Sequence, residues 1–372
     1  MNNSFTYITN ISDFDVVKKA LDHTKLVAID TEFERTQTFY PILHLFQIAT
    51  AKQVFVIEPV AIEYNWLGNL LGSSGVKKVF HACNQDLEAL YNFCKILPRN
   101  IFDTQVAAAL TGFGEQVGYA DLCQNLLQVS LSKECQWSDW SKRPLDREKI
   151  EYAANDVRYL LSLYHELHTK LLALNRKMLM KNIMKSFEEK EVYERCGDYY
   201  YVKHFGMEMG SLDHMRIVYY LLSWREDYCQ RHNMARNLVI SDQTLRQLTC
   251  DIPYNLFLPD NSLRDLIYPI YKRVCDMTDV PAILMHTHLN YAVNLMYQKI
   301  KKSLRLINIP AHYIATTKMI IDFLIQSDHR SNPIMQKWRK ALLSGCMEKL
   351  FVIKRQFQAQ QNQSKKCYEN IS

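Results

Sequence analysis

The run Ile29-Asp30-Thr31-Glu32-Phe33 sets two carboxylates two residues apart in an apolar, β-branched context. On a strand that spacing points both side chains to one face, where they can share a hard cation through oxygen. Alternating surface charge on an exposed strand looks the same, so the rest of the chain must decide. Asn84-Gln85-Asp86 follows the apolar run Lys78-Val-Phe-His81 and opens an amphipathic helical stretch. That places Asp86 at the C-terminal end of a strand, where α/β sheets build their sites, or at a helix N-cap. Tyr152 and Asp156 stand four apart in a helical pattern beside the small Ala153 and Ala154, which stacks a phenol and a carboxylate on one helix face. Four carboxylates and a phenol, each at the edge of an apolar element, suit an oxygen-ligated divalent metal site.

Other residues could serve such a site. Gln47 lies on a strand near the carboxylates and can face either a terminal nucleotide or solvent. Trp137, Trp140, Lys142 and Arg143 interleave aromatic rings with positive charge, a surface on which bases stack and phosphates dock, unless the two tryptophans simply pack. Asp103 reads as a helix N-cap and His81 as a satisfied strand residue.

These residues need a scaffold. Leu26–Ile29, His44–Ala49, Val54–Ile57 and Val79–His81 read as strands, the middle two at hairpin spacing. Helical patterns cover about 65–72, 85–96, 103–112 and 119–128. A long one spans about 146–175, with apolar residues at 150, 153, 154, 157, 160, 161, 164 and 167. Strands with helices between and around them imply an α/β sheet domain to about residue 170. Beyond it period-2 alternation disappears, and Pro253, Pro259, Pro269, Pro281, Pro310 and Pro333 punctuate an all-helical remainder. Ser223-Trp-Arg225 and Lys337-Trp-Arg339 echo each other inside helical patterns. The glutamine-rich stretch from Gln356 to Lys366 is expected to fray.

The 372 residues allow two or three domains, and 48% hydrophobic content excludes a disordered or collagenous chain. No apolar run is long enough to span a membrane, and the N-terminus lacks a secretory pattern, so a cytoplasmic protein is expected. Of ten cysteines the closest pair, Cys83 and Cys94, is eleven residues apart, which fits reduced, buried thiols rather than a zinc site. The net charge of +6 is unevenly spread. Residues 1–170 carry 16 basic and 20 acidic side chains, 171–296 carry 15 of each, and 297–372 carry 14 and 4.

With these residues in this order, residues 5–175 resemble the DEDD superfamily of 3′–5′ exonucleases in its DEDDy branch. Asp30 and Glu32 match the first motif, Asp86 the second, Tyr152 and Asp156 the third; Asn100-Ile-Phe-Asp-Thr104 and Trp137–Leu145 add support. The resemblance implies an α/β, ribonuclease H-like mixed sheet flanked by helices. It also implies two divalent ions, Mg²⁺ or Mn²⁺. Asp30, Glu32 and Asp156 would hold the ion that activates water, Asp30 would bridge to the second, Asp86 would help hold that second ion, and Tyr152 would orient the water. Residues 210–290 resemble an HRDC domain, a helical nucleic-acid-binding module, through Leu222–Glu226, Arg231–Ala235, Leu238–Ile240 and Leu245–Leu248 before Asp251-Ile-Pro253. The expected domains are 1–172 (exonuclease), 208–290 (HRDC), 296–356 (a second, degenerate HRDC-like module) and 357–372 (polar tail). The implied function is release of 5′-mononucleotides from RNA 3′ ends, with transfer-RNA precursors as the implied substrate. A DNA exonuclease or an inactive RNA-binding scaffold stays open.

Overall fold

The structure is a computed structural model that describes residues 4–132, 134–135, 138–194, 200–201, 211–247, 261–277, 289–326 and 328–369. The chain divides into two compact units, Met1–Glu194 and Arg195–Ser372.

A six-stranded mixed sheet organises the first unit, in the order β1-β4-β3-β2-β5-β6. The strands are β1 (Thr6–Ile8), β2 (Leu26–Glu34), β3 (Ile42–Ala49), β4 (Val54–Ile57), β5 (Lys77–Phe80) and β6 (Ile101–Asp103). The short outer strands β1 and β6 go beyond the sequence reading, because three residues carry too little alternation to stand out. Strand β2 pairs antiparallel with β3 and parallel with β5. Its centre, Val27–Ile29, is fully buried, as β-branched residues covered on both faces should be. The β2–β3 register slips between Glu32 and Phe33: Glu32 faces Leu45, whereas Phe33 faces Leu43. This bulge leaves His44 without an opposite residue and bends the ladder beside the second carboxylate.

Among the described residues of this unit, α-helices flank the sheet: α1 (Asp15–Leu21), α2 (Tyr64–Gly72), α3 (Asn84–Cys94), α4 (Thr104–Thr111), α5 (Tyr119–Leu127), α6 (Arg147–Arg158), α7 (Leu160–Ala173) and α8 (Lys177–Lys185). Helix α6 packs on β2, β3 and β4 through Ile150, Ala153, Ala154 and Val157. The single helix expected over 146–175 is two helices that break at Tyr159. The hydroxyl of Tyr119 supplies the cause. It donates to Asn155 O at 2.8 Å and accepts from Tyr159 N at 3.1 Å, so it stands in the i to i−4 ladder where those two groups would otherwise meet.

In the second unit the described elements are helical. Leu212–His232 packs on Arg236–Val239, Asp242–Gln247 and Asn261–Cys275, while Leu289–Arg305 packs on Thr317–Ile325 and Ser344–Glu369. Both halves of the Trp-Arg echo lie in helices, with the arginine buried against an isoleucine carbonyl. Arg225 donates to Ile240 O and Arg339 to Ile314 O, each at 2.9 Å. The helix from Ser344 continues to Glu369, through the stretch expected to fray, since Gln, Lys and Ala are good helix formers. Among the described residues no helix is long and apolar enough to cross a membrane. The cysteines described, Cys83, Cys94, Cys123, Cys135, Cys229, Cys275 and Cys346, are all free.

Candidate active site

Strand alternation and the α6 packing bring three of the four carboxylates together. Asp30, Glu32 and Asp156 each offer an oxygen within 4.8 Å of the others. Asp30 and Glu32 extend from one face of β2, and Asp156 reaches them from α6, whose alanines at 153 and 154 are fully buried against the sheet. Tyr152 stands one turn earlier on the same face of α6.

Asp86 stands beside this group as a distinct neighbour. Its Oδ1 accepts from Thr31 Oγ1 at 2.6 Å, and Thr31 lies between the two β2 carboxylates in sequence. The turn that delivers Asp86 is held from β6. Asp103 caps α4 through the amides of Gln105 (2.7 Å) and Val106 (3.2 Å), as expected. The same carboxylate also takes the amides of Ala82 (3.1 Å) and Cys83 (2.8 Å). Ala82 is in the left-handed region at φ 57°, a conformation that costs a non-glycine residue energy and needs such support. His81, just past β5, is satisfied by Thr104 Oγ1 and Val117 O.

The electrostatics are those of like charges held together out of water. Burial, followed by repulsion from Asp86, Asp156 and Glu32, pushes the Asp30 carboxyl well above the ordinary carboxylate range. Burial and then Asp156 and Asp86 do the same to Glu32. Asp86 rises to about 6 through burial, with its Thr31 hydrogen bond working against the rise. Asp156 rises to about 7 through burial, opposed by the Tyr152 hydrogen bond. No lysine or arginine is among the groups that set these values. Burial and the adjacent carboxylates push the Tyr152 phenol far above its usual range, which keeps it a proton donor at neutral pH. The donor set is all oxygen, which suits a hard divalent cation.

The further site candidates fall in different places. Gln47 pairs directly with Asp30 across the β2–β3 ladder and is 0% exposed; neither its amide oxygen nor its nitrogen has a hydrogen-bond partner among the described residues. Trp140 is also buried, with its ring 6.2 Å from that of Tyr152. Arg143 donates to Glu58 and His44 O at 2.7 Å and to Trp140 O at 2.6 Å, which ties the loop to the β3–β4 edge. A bound nucleotide therefore cannot reach Gln47 or Trp140 as they stand, and Arg143 is committed to protein acceptors. Lys142 is exposed and pairs with Asp139 at 3.5 Å. Trp137 lies outside the described residues. The sequence reading missed Thr31 and Tyr119, whose roles depend on partners 55 and 36 residues away.

A family model described as a 3′–5′ exonuclease matches residues 5–172. Ribonuclease D of Bartonella henselae is 27% identical over 94% of this chain and 90% of its own length. The chain belongs to the ribonuclease D family of 3′–5′ exonucleases. Ribonuclease D of Granulibacter bethesdensis is 34% identical over 67% of this chain, and the match spans 63% of that relative. The fold of the Escherichia coli RNase D crystal structure covers 93% of this chain and 98% of its own, with a TM-score of 0.77 at 21% identity. Within the ribonuclease D family this chain supplies an acidic cluster suited to metal-dependent exonuclease chemistry.

Proposed function

We propose that this ribonuclease D family member is a metal-dependent exoribonuclease that removes nucleotides singly from RNA 3′ ends and releases 5′-mononucleotides. The observation that carries this reading is the convergence of Asp30, Glu32 and Asp156 within 4.8 Å, with no lysine or arginine among the groups that set the Asp30 carboxyl. Asp30, Glu32 and Asp156 would hold one divalent ion and Asp30 with Asp86 a second. When bound, such ions supply hydroxide near neutral pH and take up charge on the leaving oxygen. The protein's own part is positional. Thr31 and Asp103 hold Asp86 in place, Tyr119 sets the end of α6, and the protonated Tyr152 orients the attacking water by hydrogen bonding. Lys142 offers an exposed cation to phosphate on the same loop that Arg143 anchors. Residues 208–290 and 296–356 are read as two helical RNA-holding modules, supported by the separate packing of their helices and by the basic excess after residue 297. Transfer-RNA precursors are the proposed substrate.

Matched RNA and DNA oligonucleotides, labelled at the 5′ end and incubated in Mg²⁺ or Mn²⁺, test the reading. Stepwise shortening of RNA from the 3′ end is expected. Equal or faster shortening of DNA would assign the site to DNA, and inactivity with both metals would leave an RNA-binding scaffold.

A further inference from the structure

At the end of the sheet away from the carboxylates, several cations face one another with no ion pair to Lys77, Lys177 or Lys181 among the described residues. Lys77 opens β5 and pairs with Leu26, four residues before Asp30 on β2, which is about 13 Å along the strand. Helix α7 packs on β5, and α8 packs on α7 and β6. These contacts bring His165 and His168 of α7, and Lys177 and Lys181 of α8, to the Lys77 corner. Lys177 and Lys181 are one helical turn apart and exposed. Proximity shows in their titration: burial, then Lys177 and Lys181, lowers the Lys77 ammonium, and burial, then Lys177, Lys77 and His165, lowers His168. No carboxylate offsets either shift. The hydrogen bond recorded for Lys77 Nζ goes to a neutral acceptor, Asn100 Oδ1 at 2.8 Å, while Glu188 is taken by Arg99 and the Asn100 amide. Tyr164 adds an aromatic face, stacked on His168 with centroids 5.5 Å apart. Uncompensated cations beside a half-exposed ring are the chemistry that docks a phosphodiester backbone.

We propose that this corner, built from Lys77, Lys177 and Lys181 beside His168, binds the phosphate backbone of an RNA substrate away from the 3′ end being trimmed. The proposal rests on the RNA reading of the acidic site and adds a second contact to it. An acidic nuclease unit repels its own substrate, and a basic corner on the same unit recovers affinity through counterion release. The corner lies about 13 Å along β2 from the carboxylates, beyond the reach of a dinucleotide held at the acidic site, so its contribution depends on RNA length.

The test uses the full chain without divalent metal, so that binding is read apart from hydrolysis. Fluorescence anisotropy compares a dinucleotide RNA with a hairpin carrying a single-stranded 3′ tail, for the wild type and for Lys177→Glu/Lys181→Glu. A control of equal net charge, Lys19→Glu/Lys52→Glu, alters exposed lysines on α1 and on the β3–β4 turn. The expected result is a roughly tenfold weaker hairpin affinity and a salt slope lower by about 1–2 in the α8 variant, with the dinucleotide and the control little changed. Hairpin affinity equal to wild type, or equal losses in the α8 variant and the control, would overturn the proposal. Failure of the wild type to hydrolyse RNA in Mg²⁺ would count against the functional reading instead, a separate result from the binding comparison.

Discussion

Two regions of this molecule bury charge, and they do so in opposite ways. In the first unit, Asp30, Glu32, Asp86 and Asp156 crowd together with only hydroxyls and amides for company. In the second, Glu226 is 2% exposed and is held by Arg236 through Nε at 2.8 Å to both of its oxygens. Arg225, 1% exposed, donates to that same carboxylate, to Asp242 at 2.7 Å and to Ile240 O. The Arg225, Glu226, Arg236 and Asp242 network balances its own charge. The carboxylate cluster is out of balance until cations arrive, and this imbalance separates a binding site from a structural ion pair.

The contrast can be broken at either end. Asp30→Asn or Asp156→Asn is expected to lower hydrolysis by at least about a thousandfold, roughly 4 kcal/mol in barrier, while leaving RNA binding largely intact. Turnover assays with RNA anisotropy check this, and near-normal turnover would remove the metal assignment. Glu226→Ala should instead cost about 3 kcal/mol of stability, because it strands buried guanidinium groups, and urea melts would read the loss. The cluster should respond with the opposite sign. Removing one of its charges relieves repulsion, so metal-free Asp156→Asn should be about 1–2 kcal/mol more stable than wild type at pH 8.

The same imbalance sets a pH dependence in the absence of metal. The folded-state values of about 6 for Asp86 and about 7 for Asp156 lie above the ordinary unfolded value near 3.9. The folded protein therefore binds more protons than the unfolded chain between about pH 4 and 7. The sites' contribution to stability rises as pH falls through that window and is lost above pH 7. Thermal melts in a chelator from pH 8 to 5 should show it, with a shallower rise in Asp156→Asn.

Smaller effects are expected where the site is only braced. Tyr119→Phe lets Tyr159 N close directly on Asn155 O, so stability should change by only about 1 kcal/mol. The turn that ends α6 should shift, lowering kcat roughly tenfold with KM little changed. Equal kcat in the two proteins would deny Tyr119 a positioning role. Gln47→Leu removes a buried amide with no partner among the described residues and is expected to raise stability by up to about 1 kcal/mol. A clear loss would show that the amide is satisfied by water.

Much of the site was legible in the sequence because its spacings are local. Asp30 and Glu32 share a face by the period of a strand, and Tyr152 and Asp156 meet by the period of a helix. The same held for Asp103 as a cap, since capping depends on residues two and three ahead. What escaped depends on distant partners. The break at Tyr159 comes from a hydroxyl 40 residues earlier, and no periodicity in 146–175 records it. Gln47, Trp140 and Arg143 have residue types that suit nucleotide contact, yet their burial and pairing are set by the packing of α6 and the 138–145 loop. The glutamine-rich end looked unstructured by composition, while its helix propensity pointed the other way, as the helix to Glu369 shows.

The central claim is that the acidic cluster is completed by divalent cations. Thermal melts of the wild type and of Asp30→Asn, with Mg²⁺ or Mn²⁺ titrated against a chelator control, test it most directly. A saturable rise in Tm is expected for the wild type and a strongly reduced one for Asp30→Asn. A wild-type Tm indifferent to both ions, or an equal rise in the two proteins, would contradict it.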